Sequence, residues 1–95
     1  MAGQLDGKTV IVTGAARGLG REYAERMATE GAAIVAGDVR DCADTVAAII
    51  NAGGRATSVT LDVTEMDSCT AMAETAVSEF GKIDVLVNNA ALYGG

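Results

Sequence analysis

The chain has 95 residues, 49% of them hydrophobic and 21% charged, with a formal net charge of −6. That length bounds it at one domain, the composition is globular, and an acidic balance without a basic cluster argues against nucleic acid as a partner. No apolar run reaches the length of a membrane span and residues 1–6 do not resemble a signal peptide, so a cytoplasmic protein without membrane contact is expected.

Met1 to Gly7 is a polar lead-in. Thr9 to Thr13 is short, apolar and β-branched, which predicts a buried strand. The glycine-rich turn Gly14-Ala15-Ala16-Arg17-Gly18-Leu19-Gly20 leads into a helix predicted over 18–30. There Leu19, Tyr23 and Met27 recur every four residues with Ala24 and Ala28 alongside, an amphipathic pattern. Gly31 is a left-handed stop signal. Ala32 to Gly37 predicts a second strand, ending at Asp38. Asp41 then caps a second helix, with Asp44 as its capping-box partner and Val46, Ile49 and Ile50 as its apolar stripe, up to Gly53-Gly54.

Ala56 to Leu61 predicts a third strand, and its mixture of Thr57, Ser58 and Thr60 with Val59 and Leu61 suits a sheet edge. Asp62-Val63 follows, and Thr64 to Asp67 forms another capping box. The helix it opens has an expected core face of Cys69, Ala73, Ala76 and Phe80, with Val77 adjacent, and Gly81 ends it. Ile83 to Val87 predicts a fourth strand, followed by Asn88-Asn89-Ala90-Ala91.

Strands alternating with helices imply a parallel sheet with right-handed crossovers and helices on both faces. The fold class is therefore α/β, a partial doubly wound, Rossmann-like sheet with expected strand order 3-2-1-4. In that order the glycine turn and the end of strand four share one rim, at the point where chain progression reverses and ligands bind.

The glycine turn points to a phosphate. Free N–H groups in a helix's first turn carry about half a positive charge and bind anions that no side chain obstructs. Gly14 permits the turn, Gly18 allows close approach, and Gly20 allows tight helix packing. Asp38, at the carboxyl end of strand two, suits both hydroxyls of an adenosine ribose and repels a 2′-phosphate, which favours NAD over NADP. Arg17 and Arg40 are the residues that could instead reach a 2′-phosphate. Asp62 suits either a contact near the adenine or a turn before the third helix. Asn88 is expected to link strand ends, and Asn89 to position the cofactor's ribose region. Cys42 and Cys69 are expected as reduced thiols; with no histidine, neither a zinc site nor a Ser-His-Asp arrangement is expected within the chain.

Thr13-Gly-x-x-x-Gly-x-Gly20, Asp38, Asp62-Val63 and Asn88-Asn89-Ala90 together resemble the short-chain dehydrogenase/reductase family. The resemblance implies that residues 1–95 are the amino-terminal part of a single NAD(P)-binding Rossmann domain without its catalytic part. The cofactor-binding residues it implies are Gly14, Arg17, Gly18, Leu19, Gly20, Asp38, Asp62, Val63, Asn89, Ala90 and Ala91, the last standing where the family has glycine. The family's serine and Tyr-x-x-x-Lys lie later than Asn89, so no residue here is assigned a catalytic role: Tyr23 is followed four positions on by Met27, and Tyr93 has no room for a partner. The parent would transfer hydride between nicotinamide and a secondary alcohol or ketone, and the family is often tetrameric, so a homo-oligomer is expected. The rival readings are a non-catalytic nucleotide-binding or assembly scaffold on the same half-domain, and another Rossmann-type protein such as a methyltransferase or flavoprotein, against which the glycine spacing argues.

Overall fold

A computed structural model of the chain describes residues 3–60 and 66–89, with side chains in the third helix from residue 70 onward. The elements run β1 (Thr9–Thr13), α1 (Gly18–Thr29), β2 (Ala33–Asp38), α2 (Ala43–Asn51), β3 (Arg55–Thr60), α3 (Met66–Phe80) and β4 (Val85–Asn88). The four strands form one parallel sheet in the order β3-β2-β1-β4, as the alternation predicts. The register sets Thr13 opposite both Gly37 and Asn88, so β1, β2 and β4 reach the same rim together.

Strand alternation divides the core. Val10, Val12, Ile34 and Ala36 point to one face and pack with Ala24 of α1 and Ile49 of α2. Ile11 and Val35 point to the other and pack with Met72 and Ala76 of α3. β1 is buried at every position and β2 at all but its last, Asp38, which suits strands covered on both faces. β3 mixes exposed and half-buried residues with none fully buried, as expected of an edge. Gly31, Gly53 and Gly81 have φ of +99°, +92° and +85°, the left-handed conformation that ends each helix.

Several details differ from the sequence pattern. In α1 the buried residues are Gly20 and Ala24, while Leu19 and Tyr23 are exposed and Met27 is half-buried. Small side chains let the helix lie close to the loop and the sheet, and this close contact rotates the larger apolar ones outward. In α3 the buried positions among the described side chains are Met72 and Ala76; Ala73 is half-buried, Val77 exposed, and Phe80 packs at the margin. Strand β3 starts one residue early, at Arg55, with Leu61 outside the described residues; β4 begins at Val85, and Asp84 just before it accepts the Thr9 N–H with its carboxylate. The polar lead-in is docked: Leu5 donates its N–H to the Glu30 carbonyl and packs against the core. Asp62, Val63, Thr64, Glu65, Ala90, Ala91 and the side chain of Cys69 lie outside the described residues.

Candidate functional site

The site is built where β1 passes into α1. Gly14 and Gly18 hold φ of +68° and +63°, so both ends of the loop use a conformation that side chains disfavour. Arg17 precedes the helix with extended backbone and makes no side-chain capping bond, and the first turn carries no acidic residue. The helix's opening amides therefore have no carboxylate or hydroxyl of the chain itself bound to them among the described residues. Arg17, Gly18 and Leu19 are exposed there, while Gly20 is buried. A Cβ added at Gly20 would collide with the Gly14 carbonyl and come within 2.7 Å of Asn89 Nδ2. The helix start thus rests directly on the loop's own backbone, and no larger residue fits between them.

The loop is tied at each of its first three residues. The side chain of Asn89, 1% exposed, donates from Nδ2 to the Gly14 carbonyl at 3.4 Å. Ala15 donates its N–H to the Gly37 carbonyl at 3.1 Å, and its own carbonyl accepts the Thr45 hydroxyl at 2.8 Å. Ala16 donates its N–H to Asp38 Oδ2 at 3.0 Å. The other Asp38 oxygen accepts the N–H of Arg40, also at 3.0 Å. Asp38 is half-buried, and a carboxylate has about four acceptor positions, so it retains capacity toward solvent. On the other side of β1, Thr13 Oγ1 donates to Asn88 Oδ1 at 3.0 Å and joins the ends of β1 and β4, the linking role expected of Asn88.

Of the sequence-predicted residues, Gly14, Arg17, Gly18, Leu19, Gly20, Asp38 and Asn89 come together on this rim. The Asn89 amide faces the loop from inside the core, a placement the sequence does not reveal. Asp62, Val63, Ala90 and Ala91 are outside the described residues. Sequence reasoning missed Thr45, which is fully buried in α2. Its signal was a hydroxyl between Asp44 and Val46 on the apolar side of a helix. The second helix opens one residue later than the capping pattern implies: Cys42 is its N-cap and makes no side-chain capping bond, while Asp41 just before it accepts the Ala43 N–H at 2.8 Å. Burial pushes the neighbouring Cys42 thiol up to about 11, with the Asp38 and Asp41 carboxylates adding to the shift.

The opposite rim carries a separate ion pair. Lys82 lies 3.3 Å from Asp84, whose carboxylate also accepts the Thr9 N–H at 2.8 Å. That backbone bond, with help from Lys82, holds Asp84 below its ordinary value of 3.8. Among the described residues no group of His, Cys, Asp and Glu could hold a metal ion, and no helix is long and apolar enough to cross a membrane.

Comparison with known proteins gives this geometry a family. The family model described as short chain dehydrogenase matches residues 8–95. The short-chain reductase protein NovJ of Streptomyces niveus is 51% identical over 84 residues, covering 86% of this chain and 32% of that protein. The 7alpha-hydroxysteroid dehydrogenase of Escherichia coli K12 is 44% identical over 89 residues, covering 92% of this chain and 35% of that one. Among solved structures, carveol dehydrogenase from Mycobacterium avium in complex with NAD superposes with a TM-score of 0.87 at 28% identity, over 93% of this chain and 37% of that one. The chain therefore spans only 32% and 35% of the length of the two curated relatives, and both are named as a reductase or a dehydrogenase. A match that runs through nearly every residue, on a sheet of the same topology, settles the relationship: the chain belongs to the short-chain dehydrogenase family of oxidoreductases and represents an amino-terminal portion of it.

Proposed function

We propose that residues 1–95 are the adenosine side of a single NAD(P)-binding Rossmann domain, and that the parent protein moves hydride between a nicotinamide and a secondary alcohol or ketone carbon. The observation that carries the reading is the 3.0 Å bond from the Ala16 N–H to Asp38, which joins the anion-binding loop to the carboxylate within one nucleoside's reach. The uncapped helix start meets the requirement of a diphosphate, and the bare Gly20 lets that helix start rest directly on the Gly14 backbone. Gly14, Arg17, Gly18, Leu19 and Gly20 would hold the diphosphate, and Asp38 the adjacent ribose. Asp62, Val63, Ala90 and Ala91 complete the proposed set, while Asn89 acts by holding the loop from behind. Val39, 61% exposed beside Asp38, offers the adenine an apolar surface.

A bound nicotinamide dinucleotide supplies the hydride acceptor or donor. This chain's residues bind and orient it, and none of them is assigned a proton-transfer role. The proposed preference is NAD over NADP, because Asp38 accepts from two hydroxyls and repels a phosphate in place of one. Arg17 and Arg40 are exposed and could partly offset that repulsion. The parent is proposed to be a cytoplasmic homo-oligomer whose remaining chain carries the serine and the Tyr-x-x-x-Lys pair.

Calorimetric titration with NAD, NADP and S-adenosylmethionine tests the reading. NAD should bind most tightly and S-adenosylmethionine not at all. Tighter binding of NADP than of NAD would reverse the cofactor preference, and selective binding of S-adenosylmethionine would replace the reading with a different class.

A further inference from the structure

One peptide unit of the glycine loop, between Ala15 and Ala16, is held at both ends of its dipole. Its carbonyl oxygen accepts the Thr45 hydroxyl at 2.8 Å, and its N–H donates to the Asp38 carboxylate at 3.0 Å. Thr45 is fully buried, so this is a bond in a low-dielectric interior, where hydrogen bonds in series polarise one another. Thr45 is the described side chain by which α2 takes hold of the loop, and α2 begins just after the Asp38 strand end. The hydroxyl therefore connects three things: the helix that follows Asp38, the loop that precedes the open amides, and the orientation of the peptide between them.

We propose that Thr45 is a positioning residue for the cofactor site, and that it acts by orienting the Ala15–Ala16 peptide so that Asp38 stays aimed at the adenosine ribose. Because that peptide's N–H is committed to Asp38, the anion is left to the later amides at Arg17, Gly18 and Leu19. Removing the hydroxyl leaves the Ala15 carbonyl buried without its donor. The peptide can then turn toward water, and the turn breaks the Ala16 bond to Asp38. The effect falls on the sugar side of the site more than on the diphosphate side, so it appears as a loss of NAD preference rather than a uniform weakening.

The proposal rests on the cofactor reading above, and the two are separable by experiment. In the full chain, Thr45→Val keeps the side-chain volume and deletes the donor, while Thr45→Ser restores it. Amide hydrogen exchange measured without ligand should show Ala16 exchanging about tenfold faster in T45V, with Val12 and Ile34 still protected, and wild-type behaviour in T45S. The ratio of NADP to NAD dissociation constants should fall roughly fivefold in T45V and recover in T45S. Unchanged Ala16 exchange or an unchanged ratio in folded T45V would overturn the proposal. Should T45V fail to fold, the wild-type hydroxyl proton decides: slow exchange with a proximity signal to Ala15 supports the clamp, and exchange as fast as at exposed Thr29 overturns it. Wild-type protein that binds neither dinucleotide would overturn the cofactor reading, while the Ala16 exchange data would still judge Thr45.

Discussion

At the scale of single residues, the site depends on where a side chain is absent as much as on where one is present. A methyl group at Gly20 meets the Gly14 carbonyl and the Asn89 amide together, two groups hydrogen-bonded to each other. Gly20→Ala is therefore expected to destabilise the fold by about 1–3 kcal/mol, the usual range for overpacking, measured by denaturant unfolding. An unchanged midpoint would mean that the loop moves aside at no cost. Asp38→Ala removes the acceptor proposed for the ribose, and hydrogen bonds to a charged group contribute about 1.5–3 kcal/mol. Dissociation of NAD should then rise by about tenfold or more and discrimination against NADP should shrink, read by titration of both dinucleotides. Asp84 makes a different contribution, on the opposite rim. Its folded value lies below its ordinary one of 3.8, so its contribution is present above that value and is lost as pH falls through and below it. Acid unfolding of Asp84→Asn should accordingly show less loss of stability below about pH 4 than the unmodified chain shows. An identical acid profile would remove the Thr9 and Lys82 contacts from the account.

At the scale of elements, β1 and β2 are the parts the sequence pattern described best. Their runs of Val, Ile and Ala are short, apolar and bounded by glycine, and burial on both faces demands little else. The helices were less legible. The spacing of Leu19, Tyr23 and Met27 is helical, yet the packed face is the neighbouring one made of Gly20 and Ala24. Hydrophobicity ranks residues by what they gain from burial, whereas this contact selects them by how closely two backbones must approach. The same limit hid Thr45, whose burial depends on a loop carbonyl that no local pattern announces. Strand β4 carries the clearest consequence. Among the described residues it pairs only with β1, and Val85 and Leu86 are exposed, with Leu86 at 60%. An apolar strand with an unpaired edge recruits other chains. The 95-residue chain is expected to self-associate at high concentration, and Leu86→Lys should reduce this while changing stability by only about 0.5 kcal/mol. Light scattering decides it, and a monodisperse monomer for the unmodified chain would contradict the expectation.

At the scale of the whole molecule, the sheet order does what no single motif does. By setting β1 between β2 and β4, it brings Gly14, Asp38 and Asn89, which are distant in sequence, to one rim. The order was legible because strands and helices alternate without exception, and crossover handedness leaves few arrangements open. The direction of Asn89 was not, because only the packed structure shows that its amide is enclosed against Gly14. The relatives are about three times as long as the matched segment, and the proposed cofactor binding is what this chain can be asked about directly. Backbone amide chemical shifts followed during NAD addition ask that question residue by residue. The account predicts saturable shifts at Arg17, Gly18, Leu19 and Asp38 with little change at Val35 in the interior. A folded chain in which those four amides stay still, or in which the response centres on a different part of the surface, would contradict it.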